Sequence, residues 1–207
     1  MDLFYLGIAL PVFGSFMLFI RLIYLLRQRR NSYWELFPEF DQLASSMNVK
    51  MAIESRRWEM TRIPGIAQTN PVRRSIMIDS KVFSKLDANT KKAVIAHELA
   101  HLKLRHSTKS YSLLIGGTVI SLVTSITGSL ILPSFIWLIF FFATLVLRRN
   151  YEYQADFFSV KFVDARYLVE LLKRARDSSG DTVASRITHP SAESRIEKLE
   201  TYTSSHS

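Results

Sequence analysis

The residues most able to do chemistry in this 207-residue chain are two histidines four positions apart with a glutamate between them, in His97-Glu98-Leu99-Ala100-His101. On a helix, residues four apart leave the same face, so both imidazoles can reach one divalent ion while Glu98 projects beside it as a base. Zinc in a hydrolase needs a third protein ligand and an open position for water. The chain has no cysteine, so any such ligand is a histidine or a carboxylate. A third histidine at the HExxHxxGxxH spacing is excluded, because position 104 is leucine and position 107 is serine. His106 lies five residues past His101, about 140° round a continuous helix, and reads as a surface or interfacial histidine. The remaining source is a downstream carboxylate. The stretch Arg148-Arg149-Asn150-Tyr151-Glu152-Tyr153-Gln154-Ala155-Asp156 places Glu152 and Asp156 on one helical face. One of them can ligate the metal while the other orients a ligand histidine.

The elements that must position these residues follow from pattern. Asp87–Ser107 reads as one helix, capped by Asp87 or Asn89. Between it and Arg148 lies a run of 37 residues, 111–147, without a charge. A single helix of that length would be about 55 Å long, against a hydrocarbon thickness of about 30 Å, whereas two short passes fit. Gly128-Ser129 marks the turn, followed by Pro133. Gly116, Gly117, Ser121, Thr124 and Ser125 in the first arm suit close helix packing, and the bulky second arm, Leu130–Leu147, suits lipid. A hairpin also returns Glu152 to the side of the membrane that carries His97 and His101, which a single crossing would not. Residues 3–20 are uncharged and, continuing past Arg21, give a further span. Residues 27–110 hold 16 Lys and Arg and residues 148–207 hold 10, while Met1-Asp2 and the turn at 128–129 hold none. The positive-inside rule therefore places both hydrophilic segments in the cytoplasm and the N-terminus outside. That pattern also accounts for the net charge of +9 without nucleic acid as a partner.

The expected organisation is an N-terminal transmembrane helix (1–27), a cytoplasmic part with the HExxH helix (28–110), a transmembrane hairpin (111–147) and a second cytoplasmic part (148–207). The fold class is mainly α with a small β-sheet (α+β), with about three transmembrane helices. Within it, Tyr33–Asn48 reads as an amphipathic helix. Ser75–Asp79 reads as a strand able to form the edge of a small sheet, with Ile66–Thr69 the other candidate for that edge. Ala155–Asp177 continues as a helix with Leu168, Leu171 and Leu172 inward. Ser178–Thr188 is a polar loop, Pro190–Tyr202 a last helix and Thr203–Ser207 a frayed end.

The order HExxH, apolar hairpin, RxxExxxD, then Thr188-His189-Pro190 with Arg195 following resembles the M48 family of gluzincin peptidases, over roughly Pro71 to Leu199. The resemblance implies a gluzincin-type catalytic domain with one zinc ion per chain, held by His97, His101 and Glu152, and Glu98 as the base. It further implies that Asp156 orients a ligand, and that His189 and Arg195 support the transition state or the geometry of the site. The function so implied is a membrane-embedded zinc metalloendopeptidase of the cell (inner) membrane, cleaving membrane or membrane-proximal polypeptides in protein quality control. The alternative is a catalytically silent zinc-binding scaffold or regulator, against which the intact Glu98 argues. The chain departs from the family where an Asn-Ala-Phe-like strand usually precedes the HExxH helix and Pro64–Thr69 stands instead. Three spans are too few for a large closed chamber, so prenyl-peptide processing is not expected.

Overall fold

The computed structural model describes residues 9, 11–20, 23, 38–49, 52–56, 66–70, 72, 75–127, 131–178 and 189–206. The turn at Gly128-Ser129, residues 33–37 of the expected amphipathic helix, Pro64 and Gly65, and residues 179–188 of the polar loop lie outside them. The chain divides into two compact units. One comprises Met1–Gln28 with Thr108–Arg148, the other Arg29–Ser107 with Arg149–Ser207.

The second unit is built on helix α4 (Ala88–Lys103) and a three-stranded sheet. Asp87 caps α4, accepting from the backbone N–H of Thr90 at 2.9 Å and from its hydroxyl at 2.6 Å. This satisfies donors that the helix itself leaves unpaired. The sheet has the order β1-β3-β2, with β1 Ala52–Arg56, β2 Ala67–Asn70 and β3 Ser75–Asp79. β3 runs parallel to β1 and antiparallel to β2. Ser75–Asp79 is thus the central strand and not the edge. Its side chains from Ser75 to Ile78 are all buried, as a strand covered on both faces requires. The edge candidate that remains is β2.

Helix α2 (Pro38–Ser46) lays Phe40, Leu43, Ala44 and Met47 against Ile76 and Ile78 of β3, Val94, Ile95 and Leu99 of α4, and Ala155. It stops where Asn48 takes a left-handed φ of 52° and Val49 N–H turns back to the Ala44 carbonyl at 2.8 Å. The one-turn helix α3 (Ser80–Phe83) adds Phe83 to this core. A smaller core joins Ala93 of α4 to Leu168 and Leu172 of α7 (Ala165–Ser178) and to Ile196 and Leu199 of α8 (Ala192–His206). Three sequence expectations are corrected here. The Asp87–Ser107 helix is broken at Leu104-Arg105, where Arg105 adopts a φ of 56° and a new helix, α5 (His106–Thr124), begins. The Ala155–Asp177 helix is broken at 160–164, because Asp164 accepts from the N–H of Arg166 at 2.9 Å and starts α7 afresh. The last helix does not fray at Thr203 but continues to His206, with the Thr203 hydroxyl donating to the Leu199 carbonyl at 3.0 Å.

The first unit contains α1 (Pro11–Ile20), most of α5, and the start of α6 (Leu132–Ser159), a helix about 42 Å long at 1.5 Å per residue. Within it α5 and α6 meet through small and hydroxyl residues. A Cβ added to Gly117 would run into the Phe140 side chain, the Trp137 indole N–H donates to Thr118 Oγ1 at 3.3 Å, and the Ser121 hydroxyl donates to the Pro133 carbonyl. A Cβ on Gly14 would run into the Trp137 ring. The outward side chains are apolar, among them Ile115, Val119, Val123, Phe135, Ile139, Phe142 and Val146. Among the described residues one helix, Leu132–Ser159, is long and apolar enough to cross a membrane.

Close approach at Gly117, but not at its neighbour, gives a paired expectation. Gly117→Leu should destabilise the α5–α6 contact by about 1–3 kcal/mol. Gly116→Leu, where an added Cβ meets nothing within 4 Å, should not. Thermal unfolding in detergent compares the two.

Candidate metal centre

α4 and α6 supply the site. His97 is one turn before His101 on α4, and their Nε2 atoms are 3.1 Å apart. Glu152 of α6 places Oε2 3.5 Å from His97 Nε2 and Oε1 3.6 Å from His101 Nε2. Among the described residues these three form the group of His and carboxylate side chains that could hold a metal ion, with one ligand atom each within 4.8 Å of one another. The separations test the fit. Nitrogen and oxygen ligands about 2.0–2.1 Å from one zinc at tetrahedral angles lie roughly 3.3 Å apart. The observed spacings bracket that value, and two imidazoles with a carboxylate are a donor set zinc accepts.

Neighbouring side chains hold these three residues in place. Asp156, one turn after Glu152, sets Oδ1 2.9 Å from His97 Nδ1. Arg195 of α8 clamps Asp156 with two bonds, Nε to Oδ2 at 2.8 Å and Nη2 to Oδ1 at 2.6 Å. Its Nη1 also reaches Glu152 Oε2 at 3.2 Å. One guanidinium thus spans both carboxylates of α6, the fork geometry for which arginine is suited. His189 is half-exposed, and its Nδ1 stands 3.3 Å from Glu152 Oε1. All seven residues singled out in the sequence therefore gather at one place: His97, Glu98, His101, Glu152, Asp156, His189 and Arg195.

Electrostatics separate their roles. Burial pushes the Glu98 carboxyl up to about 7, opposed by His97 and reinforced by Glu152, while the backbone N–H of Thr69 in β2 donates to it. Burial disfavours charge on both imidazoles. At His97 the bonds to Asp156 and Glu152 outweigh burial and raise it to about 9, whereas His101, beside His97, falls to about 3. Any positive charge on the pair resides on His97, the ring held by carboxylates.

His106 is corrected. It is buried and not superficial, its Nδ1 3.0 Å from His101 Nδ1 and its Nε2 3.2 Å from Gln154 Oε1. Its ring stacks on Tyr151 with centroids 4.3 Å apart and planes within 6°. The left-handed turn at Arg105 cancels the 140° offset of a continuous helix and swings His106 back over His101. Nothing in the residue type of Arg105 announces that turn; only the recurrence of a histidine at this interval hints at it. The Thr69 contact to Glu98 was equally beyond reach, since it depends on which strand flanks α4.

The sequence matches peptidase family M48 across residues 37–203. The chain belongs to this family. M48 peptidases are zinc-dependent metallopeptidases that act on polypeptides, and the His97, His101 and Glu152 group could bind a metal. No curated protein and no solved structure matches the chain.

Because Glu152 and Asp156 are buried with Arg195 as their cation, Arg195→Leu should cost about 3–5 kcal/mol of stability, the penalty for leaving buried charge uncompensated. Arg166→Leu, which removes an exposed pair with Asp164, should leave the midpoint nearly unchanged. Denaturant titrations of the two variants test the contrast, and similar midpoints would show that the clamp carries no such burden.

Proposed function

We propose that this M48 peptidase is a membrane-embedded zinc metalloendopeptidase, with His97, His101 and Glu152 as the metal ligands and Glu98 as general base. The observation that carries the reading is the convergence of Glu152 on the histidine pair with Glu98 alongside. Zinc, when bound there, supplies a Lewis acid and lowers the pKa of its water toward 7. Glu98 takes a proton from the attacking water and passes it to the leaving amine. Its tie to Thr69 keeps the base beside β2, the edge strand among the described residues that flanks α4. An extended polypeptide pairing with that edge would lay its backbone past Glu98, with recognition through main-chain bonds more than side chains. His189, exposed and beside Glu152, is the donor for the developing oxyanion. Asp156 orients His97, and Arg195 holds Asp156 and Glu152 in register.

The membrane reading is supported by the uncharged run 111–147, by apolar side chains facing outward from α5 and α6, and by the length and composition of α6. Three spans, with the N-terminus outside and both hydrophilic segments in the cytoplasm, follow from the distribution of Lys and Arg. The substrates in keeping with this placement are membrane or membrane-proximal polypeptides.

Glu98→Gln should retain zinc at the wild-type stoichiometry by elemental analysis. It should lose about 10²–10⁴-fold in casein cleavage or self-cleavage, the usual contribution of a general base. Undiminished turnover would remove Glu98 from that role. The native chain has no cysteine, so topology can be read by single replacements. Asp2→Cys should react with a membrane-impermeant maleimide on intact cells, and Ser204→Cys only after permeabilisation; the reverse pattern would invert the topology.

A further inference from the structure

We propose that His106, backed by Gln154, is a positioning residue for His101, accepting the Nδ1 proton and so fixing the tautomer in which His101 Nε2 offers its lone pair to the metal. The inference rests on the proposed metal centre and concerns how one of its ligands is held.

The argument runs through proton positions. His101 Nε2 is the nitrogen that faces His97 Nε2 at 3.1 Å and Glu152 Oε1 at 3.6 Å. A nitrogen that ligates a cation carries no proton, so the proton of neutral His101 is on Nδ1. That atom is 3.0 Å from His106 Nδ1. The two nitrogens share one proton, so His106 Nδ1 accepts and the proton of His106 sits on Nε2. His106 Nε2 is in turn 3.2 Å from Gln154 Oε1, an amide oxygen, which can only accept. Each N–H in the chain from His101 to His106 to Gln154 meets an acceptor. The opposite tautomer of His101 would point its N–H at the metal position and leave none toward His106.

Packing locks the orientation. His106 lies flat on Tyr151 and stands edge-on to His101, with centroids 5.0 Å apart and planes at 80°. Tyr151 and Gln154 flank Glu152 on α6, so the helix that brings the carboxylate ligand also fixes the support of the second histidine. The two ligand histidines are held differently: His97 by the carboxylate of Asp156, His101 by a neutral imidazole and amide. A carboxylate behind His101 would add another negative charge to a buried cluster that already holds Glu98, Glu152 and Asp156. A neutral acceptor orients the ring without that cost.

The test uses the full chain in detergent, with zinc affinity measured by competition against a chromophoric chelator and ligand geometry read from the absorption of the cobalt-substituted protein. His106→Phe keeps an aromatic ring on Tyr151 but removes the acceptor. It should bind zinc about 10–100-fold more weakly and alter the cobalt spectrum. His106→Asn, whose amide oxygen falls near the lost Nδ1, should recover most of that affinity. Gln154→Leu should weaken binding less than His106→Phe. Unfolding of the metal-stripped proteins separates packing from positioning, since the proposal requires affinity to follow the acceptor and not the melting temperature. Wild-type affinity in His106→Phe, or no recovery in His106→Asn, would overturn it. A wild-type chain that takes up no zinc would instead overturn the metal centre beneath it.

Discussion

The structure turns on how a buried cluster of carboxylates is kept charged. Glu152 and Asp156 lie buried beside two imidazoles, where each carboxylate alone would be expensive to ionise. The guanidinium of Arg195 makes the arrangement tolerable by bonding Asp156 twice and Glu152 once. Because Arg195 comes from α8, the last helix must dock for α6 to keep its charges. The small core of Leu168, Leu172, Ile196 and Leu199 does the docking. One side chain therefore ties the stability of the fold to the cluster, and the C-terminal helix belongs to the site although it supplies none of His97, His101 and Glu152.

Much of the site was legible in the sequence because it rests on helical periodicity. His97 and His101 share a face by spacing alone, and so do Glu152 and Asp156. The uncharged run between them argued that the two helices must return to the same side. The ordered motifs, ending in His189 and Arg195, then resembled M48 peptidases, and the family match confirms that membership. The mainly helical fold with a small sheet was also foreseen, and of the two cap candidates, Asp87 and Asn89, it is Asp87 that caps α4.

What the sequence concealed depends on interruptions and on neighbours. Periodicity assumes an unbroken helix, so the breaks at Arg105 and at 160–164 were missed, and His106 was assigned to the wrong environment. Ser75–Asp79 was recognised as a strand, but alternation cannot say which strand lies in the middle. Pairing with both β1 and β2 makes it central and leaves β2 to flank α4 and bond Glu98. The end of the last helix was placed too early because the last residues of a chain tend to fray. Their hydroxyls instead fold back onto carbonyls one turn earlier, as Thr203 does onto Leu199.

The left-handed residue between α4 and α5 has a stereochemical consequence for what the chain can tolerate. Arg105, at a φ of 56°, occupies a region that side chains with a Cβ enter at a cost of about 1 kcal/mol and that β-branched ones scarcely enter at all. Valine, isoleucine or threonine at 105 would press the backbone toward a continuous helix and carry His106 away from His101, whereas glycine or asparagine would settle there with less strain. A single exposed position thus restricts which residues can follow α4, through backbone handedness alone.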